Sequence, residues 1–526
     1  MPHQSKLIAA AVAVGMASCL MAADAGTKVA VNVKTQTSSP LPAAFSGFNV
    51  PQLRNGVEYY DPKFVAAVTP LKPGWLRFPA GTASMAYDWN PADAFGGHID
   101  TNWMNSLTGG DTPPVTGLSA SILKISAELT QAKGGVFLSD FATFANTFGS
   151  PAVICFNSYT DTNPGSATLM AQAAQSLGLN VEEWELANEA YLYPLIPNFG
   201  TAGGYATAMY NPYFTDIVSA APNASVGLFM AGLFPAKSGS YTAWDQGLAA
   251  YTPRYWNALS MHVYPLPFIE THKNTIEVLN GILAHGTGEY ISSYVTPLFG
   301  ASTPIFITEF NCCAQDNDQF LSFLYNGIFL VEYIARMSSV PNVQGIGVNS
   351  LYTDTYDYHG AIQAVDSFES YLLAQLAENP GYSTNTATNP ATQFQFYTSA
   401  PGLALEVANQ AINNSTHTWP TTVSGGPFVP IQGYDGQPIP AIYAQGYQGG
   451  DGSYYVVITN KSVSTCSTTV QLNGVHVSGT MSVTTVSNTT GLVANSASAP
   501  NNVQIQTTTS ANPISIGPFS VTVVKW

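Results

Sequence analysis

Between residues 43 and 415 short apolar runs alternate with stretches whose apolar residues recur every three or four positions, as strand–helix units do. The apolar runs predict eight strands, at 45–50, 75–79, 152–157, 181–187, 225–232, 258–264, 305–308 and 345–351. Helical spacing predicts helices at 138–148, 167–177, 205–219, 242–250, 275–298, 320–338 and 402–413. In one of them Phe320, Phe323, Leu324, Gly327, Val331 and Ile334 form a stripe that a core-facing role accounts for in full. Eight strands with seven helices predict an α/β fold, a (β/α)8 TIM barrel. An open doubly wound sheet fits less well, because no dinucleotide-binding glycine fingerprint follows the first strand.

After about residue 416 the helical period disappears. Short alternating segments take over, at 441–445, 454–459, 467–472, 480–486, 503–506 and 521–525, separated by Ser, Thr, Asn and Gly. They predict a small all-β sandwich over 416–526. Residues 28–33 also alternate, so the segment 26–42 is expected to add an N-terminal strand to that sandwich, leaving 43–415 as the barrel. The segment 88–135, rich in Gly, Pro, Asn and Trp, is too long for a plain connector and is expected to help form a cleft.

Composition narrows the function classes. Of 526 residues only 9% are charged, far below the roughly 25% of an average soluble protein. The net charge of −16 argues against nucleic-acid binding and against attraction to anionic membranes. Few carboxylates mean few protons taken up in acid, so stability and activity below pH 6 are expected. Lys6, the apolar stretch 7–16 and the small residues Ala23-Asp24-Ala25 have the layout of an export signal over 1–25, which predicts a secreted or periplasmic protein. Met16-Ala17-Ser18-Cys19 offers a rival reading, lipidation at Cys19, and apart from such an anchor no membrane segment is expected. Cys155, Cys312, Cys313 and Cys466 are too few for a disulfide framework; the Cys312-Cys313 pair reads as buried packing or a local disulfide.

The chemistry concentrates at two strand ends. Val181 to Glu189 reads VEEWELANE and Pro304 to Glu309 reads PIFITE, so Glu189 and Glu309 each close an apolar run, 120 residues apart (309 − 189). A carboxyl group at the end of a buried strand needs a partner or a task. Barrel enzymes collect their reacting groups at the C-terminal ends of the strands. Two carboxyls there supply an acid for a leaving oxygen and a nucleophile for an anomeric carbon, and an Asn beside the acid, here Asn188, can hold a sugar 2-hydroxyl. Glu182, Glu183 and Glu185 are expected to face outward or to pair with the helix layer.

With those motifs the chain resembles clan A of the retaining glycoside hydrolases over nearly all of its mature length. Trp184-Glu185-Leu186-Ala187-Asn188-Glu189 and Ile307-Thr308-Glu309-Phe310-Asn311 match the clan's strand-4 and strand-7 motifs. The resemblance implies Glu189 as acid/base and Glu309 as nucleophile. Leu76-Arg77-Phe78-Pro79-Ala80-Gly81-Thr82 resembles the strand-2 motif, whose Arg contacts the nucleophile, and Met261-His262-Val263-Tyr264 the strand-6 motif, whose Tyr hydroxyl does so. A sandwich built from both termini is similar to those of families 79 (heparanase and β-glucuronidase), 51 (α-L-arabinofuranosidase) and 39 (β-xylosidase and iduronidase). The residues around both glutamates look most like family 79, and 76–89 also like family 51.

The implied function is a secreted, exo-acting retaining glycosidase, β-glucuronidase-like as the first specific reading, with an α-L-arabinofuranosidase or β-xylosidase as the alternative. From another class, a barrel that binds carbohydrate without cleaving it stays open. Further substrate contacts are expected from His262, Asn157 and Asn349 near strand ends, from Trp89 and Trp103, and from Tyr352, Tyr356 and Tyr358 in the loop 352–360. For each the plain alternative is packing, and for Arg77 it is a salt bridge. No serine-hydrolase elbow, zinc-protease motif or phosphate-binding loop occurs, so a carbohydrate partner, no metal and no cofactor are expected.

Overall fold

The computed structural model describes residues 27–50, 61–79, 137–159, 165–192, 199–232, 239–266, 271–314, 318–353, 358–364 and 395–526, with 59, 81, 84–85, 87–89, 98–99, 161, 163 and 269. The expected export segment with Cys19, most of the segment 88–135 including Trp103, and Tyr356 lie outside the described residues.

Eight parallel strands close into a barrel: β1 Ser46–Asn49, β2 Leu76–Phe78, β3 Ala152–Phe156, β4 Val181–Leu186, β5 Val226–Phe229, β6 Ala258–Val263, β7 Ile305–Phe310 and β8 Val343–Val348. Each pairs with its neighbours in sequence, and β8 returns to β1. Strands β6 and β7 are buried along their whole length, the mark of strands covered on both faces, which is why they read as unbroken apolar runs. Strand β7 runs one residue past Glu309, so that glutamate belongs to the ladder, whereas Glu189 lies beyond the end of β4.

Two helices expected as single pieces are broken, each for a local reason. The 205–219 pattern becomes Ala202–Met209 and Thr215–Ala220, because Asn211 precedes Pro212 and is pushed to extended dihedrals. The 275–298 pattern ends its first piece, His272–His285, at Gly286 and continues through short turns to Phe299. Among the described residues no helix is long and apolar enough to cross a membrane.

Downstream, two sheets face each other. One holds Ser39–Pro40, Ser415–Trp419, Ile442–Gly449, Tyr454–Asn460, Ser520–Lys525, Met481–Ser487 and Ile505–Ser510; the other holds Thr421–Gly425, Thr27–Val33, Cys466–Leu472, Val475–His476 and Ile514–Ile516. The N-terminal strand Thr27–Val33 lies between Thr421–Gly425 and Cys466–Leu472, so an N-terminal strand completes a sheet otherwise built from the C-terminal part of the chain. Strand period decides which way each side chain goes. Val456 and Ile458 enter the sandwich core, while Val457 between them joins the barrel core with Val521 and Val523, against helices Leu324–Met337 and Ala400–Ile412. Each such buried Val contributes roughly 1.5–3 kcal/mol, so the sandwich is fixed to the barrel by side chains that extend the barrel's own core.

Candidate active site

The lower barrel is filled by Trp75, Val153, Ala258 and Phe306. Above them the filling turns polar. Arg77 of β2 is fully buried and spans the interior, with Nε and Nη2 on Glu185 Oε1, Nη2 also on Asn188 Oδ1 (2.8 Å), and Nη1 on Glu309 Oε1 (2.7 Å). The expectation that Glu183 and Glu185 face the helices is corrected: both are wholly buried inside the barrel. The period of two accounts for it, since Trp184 faces the helix layer beside Ala171 and Ala174 and its neighbours must point inward.

Around Glu309 the partners converge from three strands. Besides Arg77, the Tyr264 hydroxyl donates to Oε2 (2.6 Å) and Asn49 Nδ2 lies 3.4 Å from Oε1. Asn349 Nδ2 donates to the Tyr264 hydroxyl (2.8 Å), and Asn49 Nδ2 donates to Asn349 Oδ1 (3.0 Å). Burial pushes the Glu309 carboxyl up, but the charges of His262 and Arg77 and the Tyr264 hydrogen bond outweigh it and hold the group below the ordinary value. Gly81 is pressed against it: a Cβ there would come within 2.3 Å of Glu309 Oε1.

Glu189 reaches the same hollow by a sharp turn. Ala187 (φ 67°) and Glu189 (φ 46°) both take left-handed dihedrals, which cost roughly 1–2 kcal/mol per non-glycine residue. Such strain is kept where surrounding contacts over-determine it. Here the Tyr205 hydroxyl donates to the Leu186 carbonyl, the Tyr159 hydroxyl to the Asn188 carbonyl (2.9 Å), and the Tyr191 hydroxyl to Glu189 Oε1 (3.1 Å). His262 links the two carboxyls, with Nδ1 2.9 Å from Glu189 Oε1 and 3.5 Å from Glu309 Oε2. Its Nε2 is buried without a hydrogen-bond partner among the described residues, and the ring packs edge-on to Phe229. The Glu189 side chain keeps 18% exposure and Glu309 9%, so the two open toward solvent from an otherwise closed interior.

Glu189, Glu309, Asn188, Arg77, His262, Tyr264 and Asn349 therefore meet in one cluster. Three other expected contacts do not reach it. Tyr352 is fully buried, its ring edge-on to Phe64 and Phe396, because 352–353 forms a further short strand beside Ile362–Ala364; the expectation of a sugar contact is corrected. Asn157 is buried and bonds the Tyr87 carbonyl and the Tyr159 amide, so it braces the turn that carries Tyr159. The Trp89 indole donates to Ser166 Oγ at the start of helix Ser166–Ser176. Sequence reasoning missed Asn49, Gly81, Tyr159, Tyr191 and Glu185; of these Glu185 carried a signal, the alternation with Trp184 and Leu186.

Among the described residues no group of three His, Cys, Asp or Glu side chains is arranged to hold a metal ion. Cys155, Cys312, Cys313 and Cys466 are buried thiols, not disulfides.

No family model matches the sequence, and no curated protein matches it. Solved structures do match. A GH51 arabinofuranosidase from Xanthomonas axonopodis pv. citri superposes with a TM-score of 0.65 at 14% identity, over 95% of this chain and 99% of the other. The α-L-arabinofuranosidase from Thermotoga maritima, in an arabinose complex, gives 0.65 at 16% identity over 95% and 100%. A 4-O-α-L-rhamnosyl-β-D-glucuronidase from Fusarium oxysporum 12S gives 0.53 at 14% identity over 94% and 100%. At such identities the likeness speaks for the fold: this chain shares the barrel-and-sandwich architecture of glycoside hydrolases of clan A.

Proposed function

We propose that the protein is a retaining glycoside hydrolase that works by double displacement. The observation that carries this is the single imidazole nitrogen of His262 lying against both carboxyls, 2.9 Å from Glu189 and 3.5 Å from Glu309. Those distances bring both carboxyls to one imidazole nitrogen, close enough to address a single anomeric centre, as double displacement requires. Glu309 attacks the anomeric carbon as the glycosidic C–O bond breaks, and the Glu189 proton goes to the departing oxygen. Water then attacks the same carbon, Glu189 takes its proton, and the bond to Glu309 breaks to restore the carboxylate.

The sugar is the finer part of the reading. Likeness to arabinofuranosidases over nearly the whole chain, at the higher TM-scores, supports α-L-arabinofuranosides as the first substrates to try. The glucuronidase likeness supports β-glucuronides as the second. Arg77 is turned to Glu185, Asn188 and Glu309 and is not placed to receive a sugar carboxylate. Assay of aryl α-L-arabinofuranosides, β-D-glucuronides, xylosides and glucosides tests the reading, with the anomer released first followed by NMR. Retention supports double displacement; inversion, or no turnover of any glycoside, overturns it. Export belongs to the same proposal: secreted material should begin near residue 26, and a retained N-terminus would contradict it.

A further inference from the structure

Below the reacting pair the barrel carries more acid than double displacement uses. Arg77 is the permanent cation that touches Glu309, yet Nε and Nη2 of its guanidinium are turned to Glu185, fully buried on the side away from the cleft. We propose that Glu185 is a positioning residue for the reaction, holding and neutralising the Arg77 guanidinium from below so that Glu309 keeps the charge density of a nucleophile. The proposal rests on the reading of Glu309 as that nucleophile.

Among the described residues the groups facing Glu185 are few. Arg77 approaches from β2 and Asn188 Oδ1 shares its Nη2; the Cys155 thiol faces it from β3, and Tyr205 from helix Ala202–Met209. Burial and the charge of Glu185 push the Cys155 thiol well up, so that neighbour is neutral. Two residues back on the same strand, burial and then the Glu185 charge push the Glu183 carboxyl well above its ordinary value, against the Ser260 hydrogen bond (2.9 Å) and Arg77. Burial thus favours the neutral form of Glu183, lodged where Gly227 makes room: a Cβ on Gly227 would lie 1.9 Å from its Oε1. Facing Glu309 are Arg77, His262 and Tyr264, with Tyr191 and Glu189 beyond. One guanidinium thus serves two carboxylates. Without the lower one its whole charge falls on Glu309, which becomes less basic and a poorer nucleophile, though still ionised.

Glu185→Gln keeps the shape and an oxygen for the Arg77 guanidinium but removes the charge. The acid limb of kcat/KM should move down by about one pH unit, and its plateau should fall about tenfold with KM little changed. Glu183→Gln, replacing a neutral acid by an amide, should leave the limb in place. An unmoved limb in Glu185→Gln, or an equal shift in Glu183→Gln, overturns the inference. Should Glu185→Gln fail to fold, Glu185→Asp decides. It keeps the charge but shortens the arm, so the limb should stay while covalent labelling of Glu309 by a mechanism-based inhibitor slows about tenfold; an unchanged labelling rate overturns the proposal. Labelling of the wild type separates the layers: with Glu309 labelled and the limb unmoved this inference alone fails, and with no label on Glu309 the hydrolase reading fails too.

Discussion

Two buried ionic clusters in this molecule are built with opposite balance. At the seam between barrel and sandwich, Glu332 of helix Leu324–Met337 meets two cations: Oε1 takes Arg336 (Nη2 at 2.8 Å), and Oε2 takes Lys461 Nζ and the Thr459 hydroxyl (2.7 Å). Every oxygen is satisfied and Glu332 is wholly buried. In the barrel mouth the ratio is reversed, with Arg77 shared by Glu185 and Glu309, and Glu189 nearby bonded to the neutral Tyr191 hydroxyl and to His262. A cluster with surplus cation, whose carboxylate is itself closed off from solvent, locks two domains together. A cluster that gathers three carboxyls around one guanidinium opens to solvent at two of them, Glu189 and Glu309. Burial alone does not separate structural from reactive acids; the count of partners and the direction of the opening do.

The comparison can be broken at either end. Glu309→Gln should lower kcat at least about ten-thousandfold with the thermal midpoint nearly unchanged; retained turnover would put the chemistry elsewhere. At the seam, Glu332→Ala leaves the Lys461 ammonium buried and unpaired, so unfolding should become easier by about 3–5 kcal/mol while kcat of the folded fraction holds. Denaturant titration checks this, and an unchanged midpoint would deny the seam its role. Glu189→Ala should reduce kcat/KM for poor leaving groups about a hundredfold and spare kcat/KM for dinitrophenyl glycosides, whose departure needs no acid; equal losses of kcat/KM on both would remove it as the acid. Gly81→Ala drives a methyl against Glu309 and should slow catalysis about tenfold, seen in kcat more than in stability.

The smallest effect is in pH. Glu332, like Glu309, is pushed up by burial but held below its ordinary 4.5 by stronger opposing partners, here Lys461 and Arg336. A carboxyl with a lowered folded pKa stabilises fully above the unfolded value and loses that contribution as pH falls through the folded one. The stability gap between wild type and Glu332→Gln should therefore be wider at about pH 6 than at about pH 3. By the same sign the acid limb of kcat/KM should lie below pH 4.5; a limb well above it would contradict the ionised Glu309.

What the residues alone reveal differs by level. All eight barrel strands announce themselves as apolar runs, because parallel strands are buried on both faces. Glu189 and Glu309 are readable because a charged group at the end of such a run must be paired or put to use, whereas Arg77 and Tyr264 are reached through the resemblance of their motifs to a known clan. Glu185 reads as a partner of the helix layer although Trp184 and Leu186 flank it, since a charge inside a barrel becomes plausible only once Arg77 is placed opposite. Tyr352 misleads for another reason. Sequence distance puts it at the mouth, but the backbone turns back beside Ile362–Ala364 and buries the ring against Phe64 and Phe396. Strand ends are local facts; what a loop residue touches depends on elements far along the chain.

The most direct test is trapping of the covalent intermediate. A 2-deoxy-2-fluoro glycoside of whichever sugar the aryl-glycoside assay selects should inactivate the enzyme with one equivalent bound. Peptide mapping should then place the label on Glu309, with no label in Glu309→Gln. Inactivation through any other residue, or turnover with no trapped ester at all, would contradict the account.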